Sequence, residues 1–182
     1  MVNARWRGLA GRQGVAVADV DWDAVYAEQL PRVYSFLRLR TGDATLAEEL
    51  TAQTFERAWR ARAQYRHDLG AFSTWLFAIA RNAAAAHFRR CRPGWEISLE
   101  GINARSDPQT VEEIVERRGD TARLRALLAD LPPRERELIE LKYGARLTNR
   151  AIAALMGLSE SNVGTTLHRT VRRLAVVWEE GI

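Results

Sequence analysis

From Asp23 onward the apolar residues recur at intervals of three and four: Val25, Leu30, Val33, Phe36 and Leu37, then Leu46, Leu50, Phe55 and Trp59, then Phe72, Trp75, Leu76, Ile79 and Ala83. This is the period of an amphipathic helix, and three such helices can bury their stripes together as a small bundle. The breaks between them carry stop-and-start chemistry. TGDAT supplies Gly42 and Asp43, and YRHDLGAFS supplies Ser73 as a candidate cap for the third helix. Residues 92–120 lose the period, with Pro93, Gly94, Gly101, Pro108 and Gly119, and read as a linker with a short helical turn near Val111 to Arg118. Periodicity returns in TARLRALLADLPPRERELIELKYG: a helix, a Pro-Pro stop, and a helix from Arg134 to Gly144. The expected fold class is all-α, two small helical domains joined by a flexible linker. The expected bounds are a flexible N-terminal tail over 1–18, a first domain over 19–92, an acidic linker over 93–120 and a second domain over 121–182.

The stretch LTNRAIAALMGLSESNVGTTLHRTVRRL fits a helix-turn-helix, with a short helix from about Thr148 to Met156 and a longer one capped by Ser159. Gly157 can take the left-handed conformation that turns the chain. Ala153 is small where the helices cross, and Ile152, Leu155, Leu158, Val163 and Leu167 can fill the space between them. A helical hairpin without a DNA role shares this pattern. What favours DNA is the polar side of the second helix, where Ser159, Ser161, Asn162, Thr165, Thr166, His168, Arg169 and Arg172 offer donors and acceptors suited to phosphates and base edges. Glu160 reads instead as a first-turn acid favoured by the helix dipole.

Charge sharpens this picture. The formal net charge is +4, but residues 20–92 carry eleven basic and eight acidic side chains, 93–120 three and seven, and 134–178 eight and four. Two basic blocks flank an acidic middle, which makes a polyanion partner plausible. From Leu69 to Trp95 there is no acidic residue, while Arg81, Arg89, Arg90 and Arg92 accumulate beside Phe72, Trp75, Phe77, His87, Phe88 and Trp95. Cations interleaved with aromatics suit single-stranded nucleic acid, following its backbone and stacking on its bases. Trp75 and Ile79 lie on the core stripe, so a buried Trp75 stays open as an alternative. Phe77, Arg81, Phe88 and Arg92 fall on another face and are expected to point outward. Upstream, ATLAEELTAQTFERAWRAR carries Glu48, Glu49, Gln53 and Glu56 beside its stripe, as either a solvated or a protein-docking face.

Other chemistries find little support. Cys91 is the single cysteine and cannot form an internal disulfide, no His or Cys cluster has metal-ligand spacing, and no segment approaches the roughly 20 apolar residues of a membrane span. His67, His87 and His168 lie in separate segments, with no nucleophile elbow and no phosphate-binding Gly-rich loop. The expectation is a cytoplasmic, non-enzymatic protein with no cofactor, no metal and no membrane insertion.

Taken together, the chain resembles an extracytoplasmic-function (ECF) sigma factor of bacterial RNA polymerase. VYSFLRLRTGDATLAEELTAQTFERAWRA with FSTWLFAIARNAAAAHFRR is similar to sigma region 2, and ALLADLPPRERELIELKYGARLTNRAIAALMGLSESNVGTTLHRTVRRL to region 4. The resemblance implies an alternative transcription initiation factor whose partners are the clamp and flap of core RNA polymerase, promoter DNA both double- and single-stranded, and an anti-sigma factor. It implies that Leu46, Glu49, Leu50, Gln53, Phe55 and Trp59 meet the clamp. It places Arg66, Phe72, Arg81, Asn82, Phe88 and Arg89 near the opened −10 strand. Leu127, Leu131, Leu138 and Leu141 are implied at the flap, and the helix from Ser159 in the −35 major groove.

Two departures stand out. Family members commonly show Gln-Glu where this chain has Ala52-Gln53, and Val-Lys-Ser-Arg-Leu where it has Val163-Gly164-Thr165-Thr166-Leu167. The second removes two cations from the recognition helix, so −35 reading is expected to rest on Ser, Asn, Thr and His, with the polymerase supplying affinity. Two alternatives follow: an adaptor or inactive paralogue that docks on polymerase without reading promoters, and a free-standing helix-turn-helix regulator.

Overall fold

A computed structural model describes residues 22–66, 68, 70–90 and 111–180, with 111–118 as backbone alone. The expected tail, the linker between residues 91 and 110, and His67, Cys91 and Arg92 lie outside the described residues.

The first unit is a bundle of α1 (Trp22–Thr41), α2 (Ala44–Arg60) and α3 (Phe72–Arg90), with a 3-10 turn at Arg62–Gln64 leading into the loop before α3. The α1–α2 corner follows from two residues. Gly42 takes the left-handed conformation at φ 72°, and the Asp43 side chain accepts a hydrogen bond from the Leu46 amide at 2.9 Å. Val33, Phe36, Leu37, Leu50, Leu76 and Phe77 are fully buried, and Ala47, Ala58, Ala80, Ala83 and Ala84 let the helices approach closely. Thr51 and Thr54 are buried yet satisfied, each hydroxyl donating to the carbonyl four residues back.

Two expectations need correction here. Phe77 does not point outward; it is wholly buried, edge-on to Phe36 at 5.7 Å. Trp75 is also buried, as the core stripe allowed. Ser73 is not a cap, because α3 begins at Phe72 and the Trp75 amide already bonds the Ala71 carbonyl.

The second unit contains α4 (Val111–Ala129), α5 (Pro133–Ile139), a π-helical turn (Glu140–Gly144), α6 (Asn149–Met156) and α7 (Glu160–Glu179). The expected short turn near Val111 is instead the start of one helix running on to Ala129. Gly119 does not stop it, since a single Gly costs only about 1 kcal/mol among good helix formers. The α6–α7 pair forms as expected: Thr148 and Ser159 cap their helices through side-chain oxygens, and Gly157 turns the chain at φ 68° and ψ 37°. Ile152, Ala153, Leu155, Val163 and Leu167 are buried between the helices, with Leu158 packed against them.

Leu131, Leu138 and Leu141, implied as flap contacts, are buried within this unit and hold it together. From α5, Glu135 accepts from Thr170 at 3.0 Å and Arg173 at 2.5 Å, bracing the middle of α7. Burial pushes the Glu135 carboxyl up, but those two donors and the charges of Arg173 and Arg169 outweigh it and hold the carboxyl below the usual carboxylate range. At the end of α7, Arg123 stacks over Trp178 and donates to its carbonyl, extending that helix well past the turn.

The two units are in direct contact. Phe36 and Leu39 of α1 face Gly144, and a Cβ placed there would lie 2.9 Å from Leu39 Cδ1 and 3.0 Å from Phe36 Cα. Only a residue without a side chain permits this approach.

Candidate nucleic-acid and polymerase interfaces

α7 presents the polar face expected of it. Ser159, Ser161, Asn162, Thr165, His168, Arg169 and Arg172 are exposed and Thr166 is partly so, while Val163, Leu167 and Thr170 turn inward. The first two turns carry no cation: Thr166 donates to the Asn162 side chain at 3.2 Å. The cations start at Arg169, and Arg173 is drawn back to Glu135. Arg150, exposed at the start of α6, is a further cation of the helix-turn-helix that sequence reasoning did not single out. Gly164 weakens the helix for no steric reason, because a Cβ there would meet only the Asn149 side chain at an ordinary 3.5 Å. Gly164→Ala is therefore expected to stabilise the chain by about 0.5–1 kcal/mol, read from urea unfolding.

The residues expected near single-stranded DNA fall into two groups. Phe72 belongs to an aromatic cluster at one end of the bundle, with ring centroids 5.5 Å from Trp22, 5.2 Å from Tyr65 and 5.3 Å from Trp75. The loop before α3 is closed by Tyr65 donating to the Gly70 carbonyl and by Arg66 gripping Asp68 through two nitrogens, at 3.1 and 2.6 Å. That short pairing raises the Arg66 guanidinium further above its ordinary value. The second group runs down α3. Asn82 and Phe88 are partly exposed and Arg89 is exposed, but Arg81 is engaged: its Nε donates to Glu137 at 2.9 Å and a terminal nitrogen to the Leu155 carbonyl at 2.7 Å.

On α2 the residues expected to dock separate by burial. Glu49 and Trp59 are exposed, and Leu46, Gln53 and Phe55 partly so. Leu50 is corrected from contact residue to core residue, since it is wholly buried in the bundle. Intrahelical links run along the face, Gln53 to Glu49 at 2.9 Å and Arg60 to Glu56 at 2.7 Å. Such exposed pairs contribute little, so a partner can displace them cheaply. Sequence reasoning missed two neighbours from α1, Tyr26 against Phe55 at 4.7 Å and Trp22 against Trp59 at 5.3 Å. Their spacing of four residues was the available signal. Arg62 covers the other side of Trp59, 4.2 Å from its ring.

Comparison with known proteins identifies the two units. Residues 25–93 match Sigma-70 region 2 and residues 121–174 match Sigma-70 region 4. The chain is 32% identical over 165 residues to the ECF RNA polymerase sigma factor SigM of Bacillus subtilis, covering 88% of this chain and 96% of SigM. It is 30% identical over 174 residues to the ECF RNA polymerase sigma factor BldN of Streptomyces coelicolor, covering 95% of this chain but 66% of BldN. Among solved structures, CnrH in complex with the cytosolic domain of CnrY superposes with a TM-score of 0.67 at 20% identity, over 91% of this chain and 94% of that one. RpoE of Bartonella quintana in complex with the anti-sigma factor NepR gives 0.68 at 18%, over 89% and 99%; these two likenesses concern the fold. No described helix is long and apolar enough to cross a membrane. With a region 2 bundle and a region 4 helix-turn-helix in that order, and relatives alike over nearly its whole length, the chain belongs to the ECF RNA polymerase sigma factors, transcription initiation factors that bind core RNA polymerase and direct it to promoter DNA.

Proposed function

We propose that this sigma factor reads its promoter at two places with the residues described above. Residues 19–92 act as region 2, docking on the polymerase clamp through Leu46, Glu49, Gln53, Phe55 and Trp59, with Leu50 holding α2 in place. Tyr26 extends the same patch. Arg66, Phe72, Arg81, Asn82, Phe88 and Arg89 receive the opened −10 strand. Residues 93–120 span the distance to region 4, residues 121–182. There Ser159, Ser161, Asn162, Thr165, Thr166, His168, Arg169 and Arg172 enter the −35 major groove, and Arg150 meets a flanking phosphate as the first helix crosses the backbone.

One observation carries this reading: all eight −35 candidates share one side of a single capped helix, and the apolar positions between them are buried against α5 and α6. That is the geometry a groove-reading helix needs. The chain catalyses nothing itself and works in the cytoplasm, where polymerase is. An anti-sigma factor is its third partner, by analogy with the complexes formed by CnrH and RpoE.

Run-off transcription with reconstituted holoenzyme tests the −10 assignment. Phe88→Ala is expected to lower initiation on duplex template by roughly 5- to 100-fold, the worth of one stacked base. Asn82→Ala is expected to lower initiation on the same duplex as well, and both losses should persist on a template whose −10 segment is already mismatched and open, because the contacts removed are to the opened strand. Equal activity of both variants and the parent on the duplex would refute the assignment.

A further inference from the structure

Where the end of α1 meets α4 and α5 there is a partly open cavity of about 40 Å³, lined chiefly by Leu39, Arg40, Thr41, Arg125, Leu128 and Arg136. A single buried water needs roughly 10–15 Å³ of such space, so this one holds a few waters or one tetrahedral oxyanion. Three guanidinium groups stand in its walls, and no carboxylate does.

The three are not equally engaged. Arg40 meets Glu140 at 2.6 Å and Glu137 at 3.5 Å, which balances its charge. Arg136 spends a terminal nitrogen on the carbonyls of Ala129 and Leu131, while its Nε is buried with no hydrogen-bond partner among the described residues. Glu140 acts on Arg136 through its charge but is bonded to Arg40. Arg125 has no ion pair among the described residues. Burial, and after it the like charge of Arg38 from the same end of α1, pushes the Arg125 guanidinium below its ordinary value. The Thr41 hydroxyl is turned to the Leu37 and Asp43 carbonyls, which leaves the guanidiniums as the donors of the cavity.

We propose that this cavity binds a phosphate-class oxyanion, with Arg125 and Arg136 as its principal donors and Arg40 completing the wall. Water can accept from the Arg136 Nε but leaves the positive charge unbalanced; an oxyanion does both. Guanidinium groups present planar N–H forks that match a phosphoryl group, and such charge-assisted bonds are stronger than neutral ones. Leu39 and Leu128 line part of the site with apolar surface, which limits screening of the charges there. An anion beside Arg125 also offsets its repulsion with Arg38. The same phosphoryl chemistry comes from two sources, free phosphate or the terminal phosphate of a nucleotide entering by the open side.

Thermal unfolding of the full chain in inorganic phosphate, in magnesium-free ATP, and in sodium chloride of matched ionic strength tests the site. At phosphate ten times its dissociation constant, the parent midpoint is expected to rise by roughly 3–6 °C above the chloride control. Arg125→Gln removes a cation held beside a like charge, so in chloride it should be at least as stable as the parent, yet lose the phosphate response. Arg134→Gln, at an exposed position of α5, should keep that response. Phosphorus NMR reads the same binding directly: the inorganic phosphate line should broaden with the parent and with Arg134→Gln, and stay sharp with Arg125→Gln. Reversal of the broadening by ATP identifies the ligand as a nucleotide phosphate, and persistence identifies free phosphate. A shift fully reproduced by chloride, or an Arg125→Gln chain that responds to phosphate as the parent does, would overturn the site.

Discussion

Phe36→Ala is expected to lose about 3–5 kcal/mol of stability, the largest effect of any single substitution considered. Phe36 is wholly buried, packs edge-on to Phe77 from the opposite helix, and lends its backbone to the contact with Gly144. Truncation leaves a cavity at the junction of α1, α3 and the π turn, and the surrounding alanines are too short to fill it. Against a total stability of about 5–15 kcal/mol for a domain of ordinary size, this removes much of the margin. Urea unfolding followed by tryptophan fluorescence measures it. Tyr26→Ala, on the same helix but half-exposed, is the control and should cost much less. Similar losses for the two would mean that α1 is not packed as described.

Thr166→Arg is expected to strengthen −35 binding by about five- to tenfold near 0.1 M salt and to steepen the dependence of log affinity on log salt by about 0.9, the signature of one added phosphate contact. Thr166 lies beside Asn162 on the polar side of α7, where the first two turns are without a cation. A long guanidinium from this position reaches the backbone without disturbing Val163 or Leu167 inside. Anisotropy titrations of holoenzyme on a −35 duplex at several salt concentrations give both numbers. An unchanged affinity and slope would mean that this side of the helix does not face the phosphates.

Much of the fold was legible because local chemistry dictates it. Asp43, Ser159 and Gly157 each act within one turn of their own position, so a single sequence carries the signal. On α1 the stripe names Val33, Phe36 and Leu37 correctly, whereas Val25 and Leu30 are only partly buried. Misreadings arose where the answer depends on elements far away in sequence. Phe77 lies off the stripe of α3, but that helix is covered on a second side by α1, so Phe77 is buried from a direction its own period does not reveal. Leu50 was assigned to a docking surface by resemblance alone, although it lies on the apolar stripe of α2 and is wholly buried in the bundle.

Where the α7 candidates fall was legible almost entirely, since every one sits on or caps one helix and its helical position follows from a cap and a period. The −10 side was legible in composition but not in arrangement. Nothing local announces that Arg81 pairs with Glu137, 56 residues away, or that the aromatics at the loop gather around Phe72. Ion pairs across such separations leave no periodic trace, and the polar character that suits Arg81 to DNA suits it equally to a carboxylate.

The most direct test is footprinting with purified components on a promoter mapped from transcription start sites after induced expression. The chain together with core polymerase should protect two separated segments, at −35 and −10, and initiate at one defined nucleotide, while the chain alone at the same concentration protects neither. Failure to associate with core polymerase, or selective protection of the duplex by the chain without it, would contradict the account.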